Sequence, residues 1–374
     1  MKVLIGDLLQ SGAQTLINTV NCVGVMGKGI ALEFKKQFPN MFEDYALRCK
    51  RGEVRPGIPF LYREVFPPQI VNFPTKDHWK SVSRVEDIER GLQYLVEHYK
   101  AWEITSLAVP PLGCGNGQLE WREIGPMIYR YLGDLDIPVM LYAPYGTPPA
   151  QLTTEFLSRS HAPANGSNTE KERPGGKVEP ALAALVEIIR RLEDQPHCWP
   201  VGRTIFQKIA YVATREGLPT GLQYGKGSYG PFSDGLKAAE TRLVNNNLLQ
   251  EQRSGNMFKV QVGPNYARVR KDYEGAFSRW SEIIEKTTDL FERVNTTQAE
   301  ILATVMFSAD KLKEGRETKP LEGEVLNAVK HWKQKRTPPL PDEEVASAIR
   351  NLAMLRWLDV QYDPDLPVPA EEVF

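Results

Sequence analysis

From Ser158 to Lys177 the chain reads SRSHAPANGSNTEKERPGGK, rich in Ser, Asn, Pro and Gly and without aliphatic periodicity. Structureless segments longer than about 12–15 residues are uncommon inside a compact domain. This run is therefore expected to be a flexible linker over 158–177, with one domain over 1–157 and another over 178–374. Length agrees, since 374 residues exceed one ordinary domain of roughly 150. Hydrophobic residues at 41% and charged residues at 25% exclude wholesale disorder. With 46 basic against 47 acidic residues the net charge is -1, which excludes a globally basic nucleic-acid coat. Cys22, Cys49, Cys114 and Cys198 lack CxxC spacing, so neither a zinc site nor a disulfide framework is expected. No residue cluster requires a metal or other cofactor. The start MKVLIGDLLQSG is interrupted by Gly6 and Asp7 where a secretory core would be continuous. No apolar run approaches ~18 residues, so no membrane span is expected and the chain reads as cytoplasmic.

The two halves differ in pattern. In the first, short apolar runs at Lys2–Ile5, Thr15–Val20, Phe60–Val65, Gln69–Phe73, Thr105–Val109 and Pro138–Tyr142 alternate with helical periodicity over 29–50, 85–99 and 121–132. Such alternation predicts an α/β sandwich around a mixed, mostly parallel sheet, with ligands beyond the carboxyl ends of the strands. The second half is predicted to be mainly α-helical. Helical spacing recurs over 180–192, 203–216, 234–248, 272–285, 297–313, 322–333 and 343–357, and only Met257–Val262 reads clearly as a strand. The Tyr229–Phe232 turn and the Gly221–Gly227 loop fit connectors of a winged-helix-like fold, or contacts to a partner.

Two glycine-rich loops follow strands in the first half. One runs NCVGVMGKGI from Asn21 to Ile30 and enters a helix; the other runs PPLGCGNG from Pro110 to Gly117. Glycine permits positive φ and close backbone approach, and successive N–H groups beside a helix start suit phosphate oxygens. Either loop alone is weak evidence against a mere tight turn; the pair favours a diphosphate ligand. Neither matches a Walker lysine motif or the dinucleotide fingerprint. Asp7, with Leu8 beside it, ends the first strand, where its carboxylate either caps the next turn or accepts from an exocyclic amine. Lys80, in NFPTKDHWK, lies between a strand and a helix with Lys76 close in sequence. A lysine becomes a nucleophile only when it loses its proton, which desolvation or a nearby positive charge promotes. His78 and Trp79 beside it suit stacking or substrate contact. In the second half, Lys330, His331, Trp332 and Lys333 mix charge with an aromatic, as single-strand binders do, or as an ordinary helix with one buried face. The last residues, with Asp359, Asp363, Asp365, Glu371 and Glu372, form an acidic tail that is either solvated or a mimic of DNA phosphates.

Together, GDL after the first strand, the first loop closing on GIA, the PPLGCGNGQLEW segment and the LYAP strand resemble a macrodomain. The branch is that of the terminal ADP-ribose protein glycohydrolases, and within it the DarG family, the DNA ADP-ribosyl glycohydrolase antitoxins of DarTG systems. The resemblance implies a hydrolase that removes ADP-ribose from thymine in single-stranded DNA, and a second domain that neutralises the cognate ADP-ribosyltransferase toxin. It implies that Asp7 reads the adenine amine, and that Asn21 lies beside the distal ribose. Gly27, Lys28, Gly29 and Ile30 then form the first phosphate loop; Gly113, Cys114, Gly115, Asn116 and Gly117 form the second. Tyr142 is placed on the adenosine side and Lys80 is given the role of catalytic lysine. Relatives acting on protein carboxylates carry an aspartate where Gly117 stands. Rival readings are a hydrolase of protein-linked ADP-ribose or O-acetyl-ADP-ribose, and a non-enzymatic ADP-ribose reader or toxin-sequestering protein.

Overall fold

The computed structural model describes residues 1–158, 178–196, 198–254 and 257–368. The expected linker beyond Ser158 and the tail residues Glu371 and Glu372 lie outside them. The chain divides into two compact units, one of Met1–Lys177 with Glu240–Asn246 and one of Val178–Ala239 with Asn247–Phe374.

The first unit runs β1 (Lys2–Leu4), β2 (Thr15–Asn21), α1 (Gly29–Gln37), α2 (Pro39–Lys50), β3 (Phe60–Tyr62), β4 (Gln69–Lys76), α3 (Val85–His98), β5 (Leu107–Val109), α4 (Trp121–Leu132), β6 (Val139–Tyr142) and α5 (Thr154–Leu157). Its six strands form one sheet in the order β1-β6-β5-β2-β4-β3. All pairs are parallel except β3 with β4. Successive strand residues point to opposite faces, so β2 and β4 serve both layers. Leu16, Val20 and Ile70 pack with Phe34, Met41 and Tyr45 of α1 and α2. Ile17, Val71 and Phe73 pack with Val85, Ile88 and Leu92 of α3 and Ile124 and Ile128 of α4. This is the expected α/β/α sandwich around a mixed, mostly parallel sheet.

The helical stretch 29–50 is two helices, because Pro39 cannot continue the first and instead opens the second. A larger difference concerns β4. The spacing predicts an end at Phe73, before Pro74, yet the strand runs through Pro74 to Lys76, buried throughout. β3 pairs with β4 only up to Asn72, so beyond it Pro74 faces no strand on that side and its missing N–H costs no ladder bond. The Pro74 carbonyl is taken by the Gly57 N–H at 2.9 Å. A bulge then skips Thr75, so that Asn21 of β2 pairs with Lys76.

The second unit is mainly helical: α6 (Pro180–Glu193), α7 (Arg203–Arg215), α8 (Asp234–Asn245, shared between the units), α9 (Tyr266–Val269), α10 (Glu274–Arg279), α11 (Ser281–Phe291), α12 (Thr296–Lys313), α13 (Glu322–Lys333) and α14 (Asp342–Met354). Two hairpins interrupt it, β7 (Gly225–Gly227) with β8 (Gly230–Phe232) and β9 (Leu249–Ser254) with β10 (Met257–Val262). The sequence LQEQRS of β9 is too polar to read as a strand, and forms one because β10 supplies its ladder. The stretch 272–285 breaks at Trp280 into α10 and α11.

The unit buries charge as well as aliphatic surface. Glu187 is fully buried and accepts from Arg190, Arg191, Arg270 and the Tyr266 hydroxyl. Burial alone would raise its pKa, but hydrogen bonds from Arg190, Arg270 and Tyr266 outweigh that and hold it well below the usual range. Trp332 packs on Phe307 at 5.3 Å, Lys333 is buried against Glu300 at 2.8 Å, and Lys330 pairs with Asp342. That stretch is therefore core and ion pair rather than a strand-binding face. Asp359 of the expected tail is paired with Lys313 and Lys319.

Candidate active site

The carboxyl ends of β2, β4 and β5 bring the two glycine loops together. Asn21, the last residue of β2, folds the first. Its Oδ1 accepts from the Val23 and Val25 N–H groups at 3.0 and 3.4 Å, and its Nδ2 donates to the Val25 carbonyl at 2.5 Å. The Tyr45 hydroxyl donates to the Asn21 carbonyl at 2.9 Å. The amide expected to face a ribose is thus turned into the loop, and Asn21 shapes the cradle. Gly24 and Gly29 take φ of +75° and +59°, which only glycine adopts without strain. Lys28 caps α1 with extended backbone and an exposed side chain, so the loop opens onto the helix N-terminus.

The second loop leaves β5 at Val109. Gly113 has φ of +75°, and the Gly113 carbonyl accepts from the Leu119 N–H at 3.0 Å. The two loops touch: a Cβ on Gly29 would lie 3.3 Å from Asn116 Nδ2. Cys114 is part of this loop, but burial, followed by Glu120 and Glu123, pushes its thiol well above the ordinary range; Cys22 is raised likewise by burial and Asp77. Neither is a thiolate nucleophile at neutral pH.

The expected lysine is not the one between the loops. Lys80 is exposed, with its ammonium 4.9 Å from the Trp79 ring centroid and its N–H donating to His78 Nδ1 at 3.1 Å. Lys76, four residues earlier and 9% exposed, reaches into the site and donates from Nζ to the Asn116 carbonyl at 2.9 Å. Its backbone carbonyl also receives the Cys22 thiol of the first loop at 3.5 Å. One residue thereby joins both cradles. The bulge beside it resets the direction of its side chain, a device found next to active sites. Ending β4 at Phe73 concealed Lys76; the signal available was the unbroken run NFPTK leading toward the carboxyl edge.

At the other end of the sheet edge, Asp7 does cap: its Oδ1 accepts from the Leu9 N–H at 3.0 Å, leaving the second oxygen exposed. Leu8 is buried in the core, so its side chain is not open to a ligand. Tyr142 ends β6 below Gly6, whose Cβ would lie 3.9 Å from its ring. Burial, then the charge of Asp7, raises the Tyr142 phenol. Among the described residues no group of three or more His, Cys, Asp or Glu could hold a metal ion, and no helix is long and apolar enough to cross a membrane. In the second unit, a groove of ≈ 590 Å³ follows Gly221–Lys226 and Phe232–Gly235.

The Macro domain family model matches residues 17–128. The DNA ADP-ribosyl glycohydrolase of Mycobacterium tuberculosis is 35% identical over 275 residues, 71% of this chain and 70% of that protein. The enzyme of the same name from Thermus aquaticus is 36% identical over 242 residues, 64% of this chain and 62% of the relative. Among solved structures, the macrodomain of Mycobacterium tuberculosis DarG is 44% identical over 38% of this chain and 97% of that one, with a TM-score of 0.37. Thermosipho africanus DarTG in complex with ADP-ribose is 43% identical over 41% of this chain and 45% of that one, with a TM-score of 0.39. With two thirds of the mycobacterial protein matched on top of the macrodomain fold, the chain belongs to the DNA ADP-ribosyl glycohydrolases, a family of macrodomain hydrolases.

Proposed function

We propose that this chain removes ADP-ribose from thymine bases of single-stranded DNA, and that residues 178–374 neutralise a cognate ADP-ribosyltransferase toxin by direct contact. The observation that carries the reading is the buried amine of Lys76 between two glycine cradles. The loops 27–30 and 113–117 hold the diphosphate, Asp7 reads the adenine amine with its free oxygen, and Tyr142 flanks the adenosine. Fixing the diphosphate fixes the distal ribose, which is a proximity effect. The lysine amine adds to the anomeric carbon and the bond to thymine breaks. The base leaves with a proton, and water then releases ADP-ribose and restores the amine. Gly117, in place of an aspartate, supports a base rather than a protein carboxylate as leaving group. The second unit supplies the groove along Gly221–Lys226, a surface for a protein partner of the kind the family is paired with. Such a protein acts in the cytoplasm, where DNA and toxin meet.

The test compares Lys76→Ala with Lys80→Ala in ADP-ribose release from a modified thymine oligonucleotide. Lys76→Ala is expected to abolish release while ADP-ribose still binds. Undiminished turnover in Lys76→Ala, with loss in Lys80→Ala, would return the role to Lys80. Release from modified protein or O-acetyl-ADP-ribose but not from DNA would establish the rival substrates, and binding without any release a reader.

A further inference from the structure

The turn after β4 is unused by the chemistry above. Trp79, three residues past the buried Lys76, keeps 47% of its surface exposed. His78 stacks on it at 5.4 Å with 30° between the planes, and the Lys80 ammonium stands 4.9 Å from its ring centroid. The turn is preorganised. The Lys80 N–H donates to His78 Nδ1, the Ser81 N–H to the His78 carbonyl at 2.9 Å, and the Cys22 N–H to the Asp77 carbonyl at 2.9 Å. An indole and an ammonium are thus held together three and four residues past the amine proposed to act on the sugar.

We infer that His78, Trp79 and Lys80 form the seat of the DNA strand next to the modified base: Trp79 stacks on a neighbouring base and Lys80 contacts a phosphate. The inference rests on the DNA reading above and names the residues that select a strand over a protein. An aromatic face accepts any base, and a lone exposed cation neutralises one phosphate; together they are the elements of sequence-tolerant single-strand binding. A peptide carrying ADP-ribose offers neither a stacking base nor a backbone charge at each step.

The experiment uses the full chain and unmodified oligothymidylate, so that binding is read without turnover. Trp79→Ala is expected to weaken oligonucleotide binding about 5- to 100-fold, as loss of one stacked base does. Trp79→Phe should recover most of that loss, and ADP-ribose affinity should stay within about twofold of wild type. Lys80→Gln should lower the slope of log affinity against log salt by about 0.7, one phosphate on a single strand. Unchanged oligonucleotide affinity in Trp79→Ala overturns the inference, as does an equal loss of affinity for ADP-ribosylated peptide. If wild type binds the strand through Trp79 yet releases nothing from modified DNA, the proposed reaction fails while the strand seat stands.

Discussion

A Cβ on Gly117 would meet Ser83 Oγ at 2.3 Å and the Gly113 carbonyl at 2.4 Å. The Ser83 N–H also donates to the Gly117 carbonyl at 3.2 Å, so the loop cannot back away without losing that bond. An aspartate at this position is therefore excluded by packing, not merely absent. Gly117→Asp is expected to distort the second loop and weaken ADP-ribose binding at least tenfold, without creating an Asp–Lys pair; calorimetric titration with ADP-ribose measures it. The glycines, Asp7 and Tyr142 were legible as residue types at strand ends. Lys76 was not, because a lysine inside a strand reads as an interruption until its ammonium is seen to find a carbonyl across the site.

Helix α3 packs closely on β4 at Gly91. A Cβ on Gly91 would fall 2.3 Å from Phe73 Cζ, inside the core beneath the strand that carries Lys76. Gly91→Ala is expected to cost about 1–3 kcal/mol as overpacking, read as a lower midpoint in urea, and to reduce turnover through the displaced β4. In the second unit, Lys208 of α7 is 2% exposed and donates to the Pro231 carbonyl of β8 at 2.8 Å. Burial first, then the Lys333 ammonium, lowers it from 10.5 to about 8, with Glu300 acting in the opposite sense. Between those values the unfolded chain binds more protons than the folded one, so stability rises with pH across that window. Lys208→Met should flatten this rise, as urea midpoints at pH 7.5 and 9.5 would reveal. Strand–helix alternation was readable from apolar periodicity. β9 and the last turn of β4 were not, since each exists only because a neighbouring segment accepts its backbone bonds.

Over the whole molecule, one unit is proposed to carry chemistry and the other a protein partner. The two activities should then separate. Full-length Lys76→Ala is expected to keep its complex with the toxin, seen by co-purification, while leaving ADP-ribose on cellular DNA; loss of both together would contradict separate roles. The fold class was determined by the sequence itself, because period-2 and period-3.6 patterns are local properties of a chain. Which lysine enters the site was decided only by tertiary structure. It depended on where β3 stops covering β4, on a bulge opposite Asn21, and on a carbonyl forty residues further along the chain.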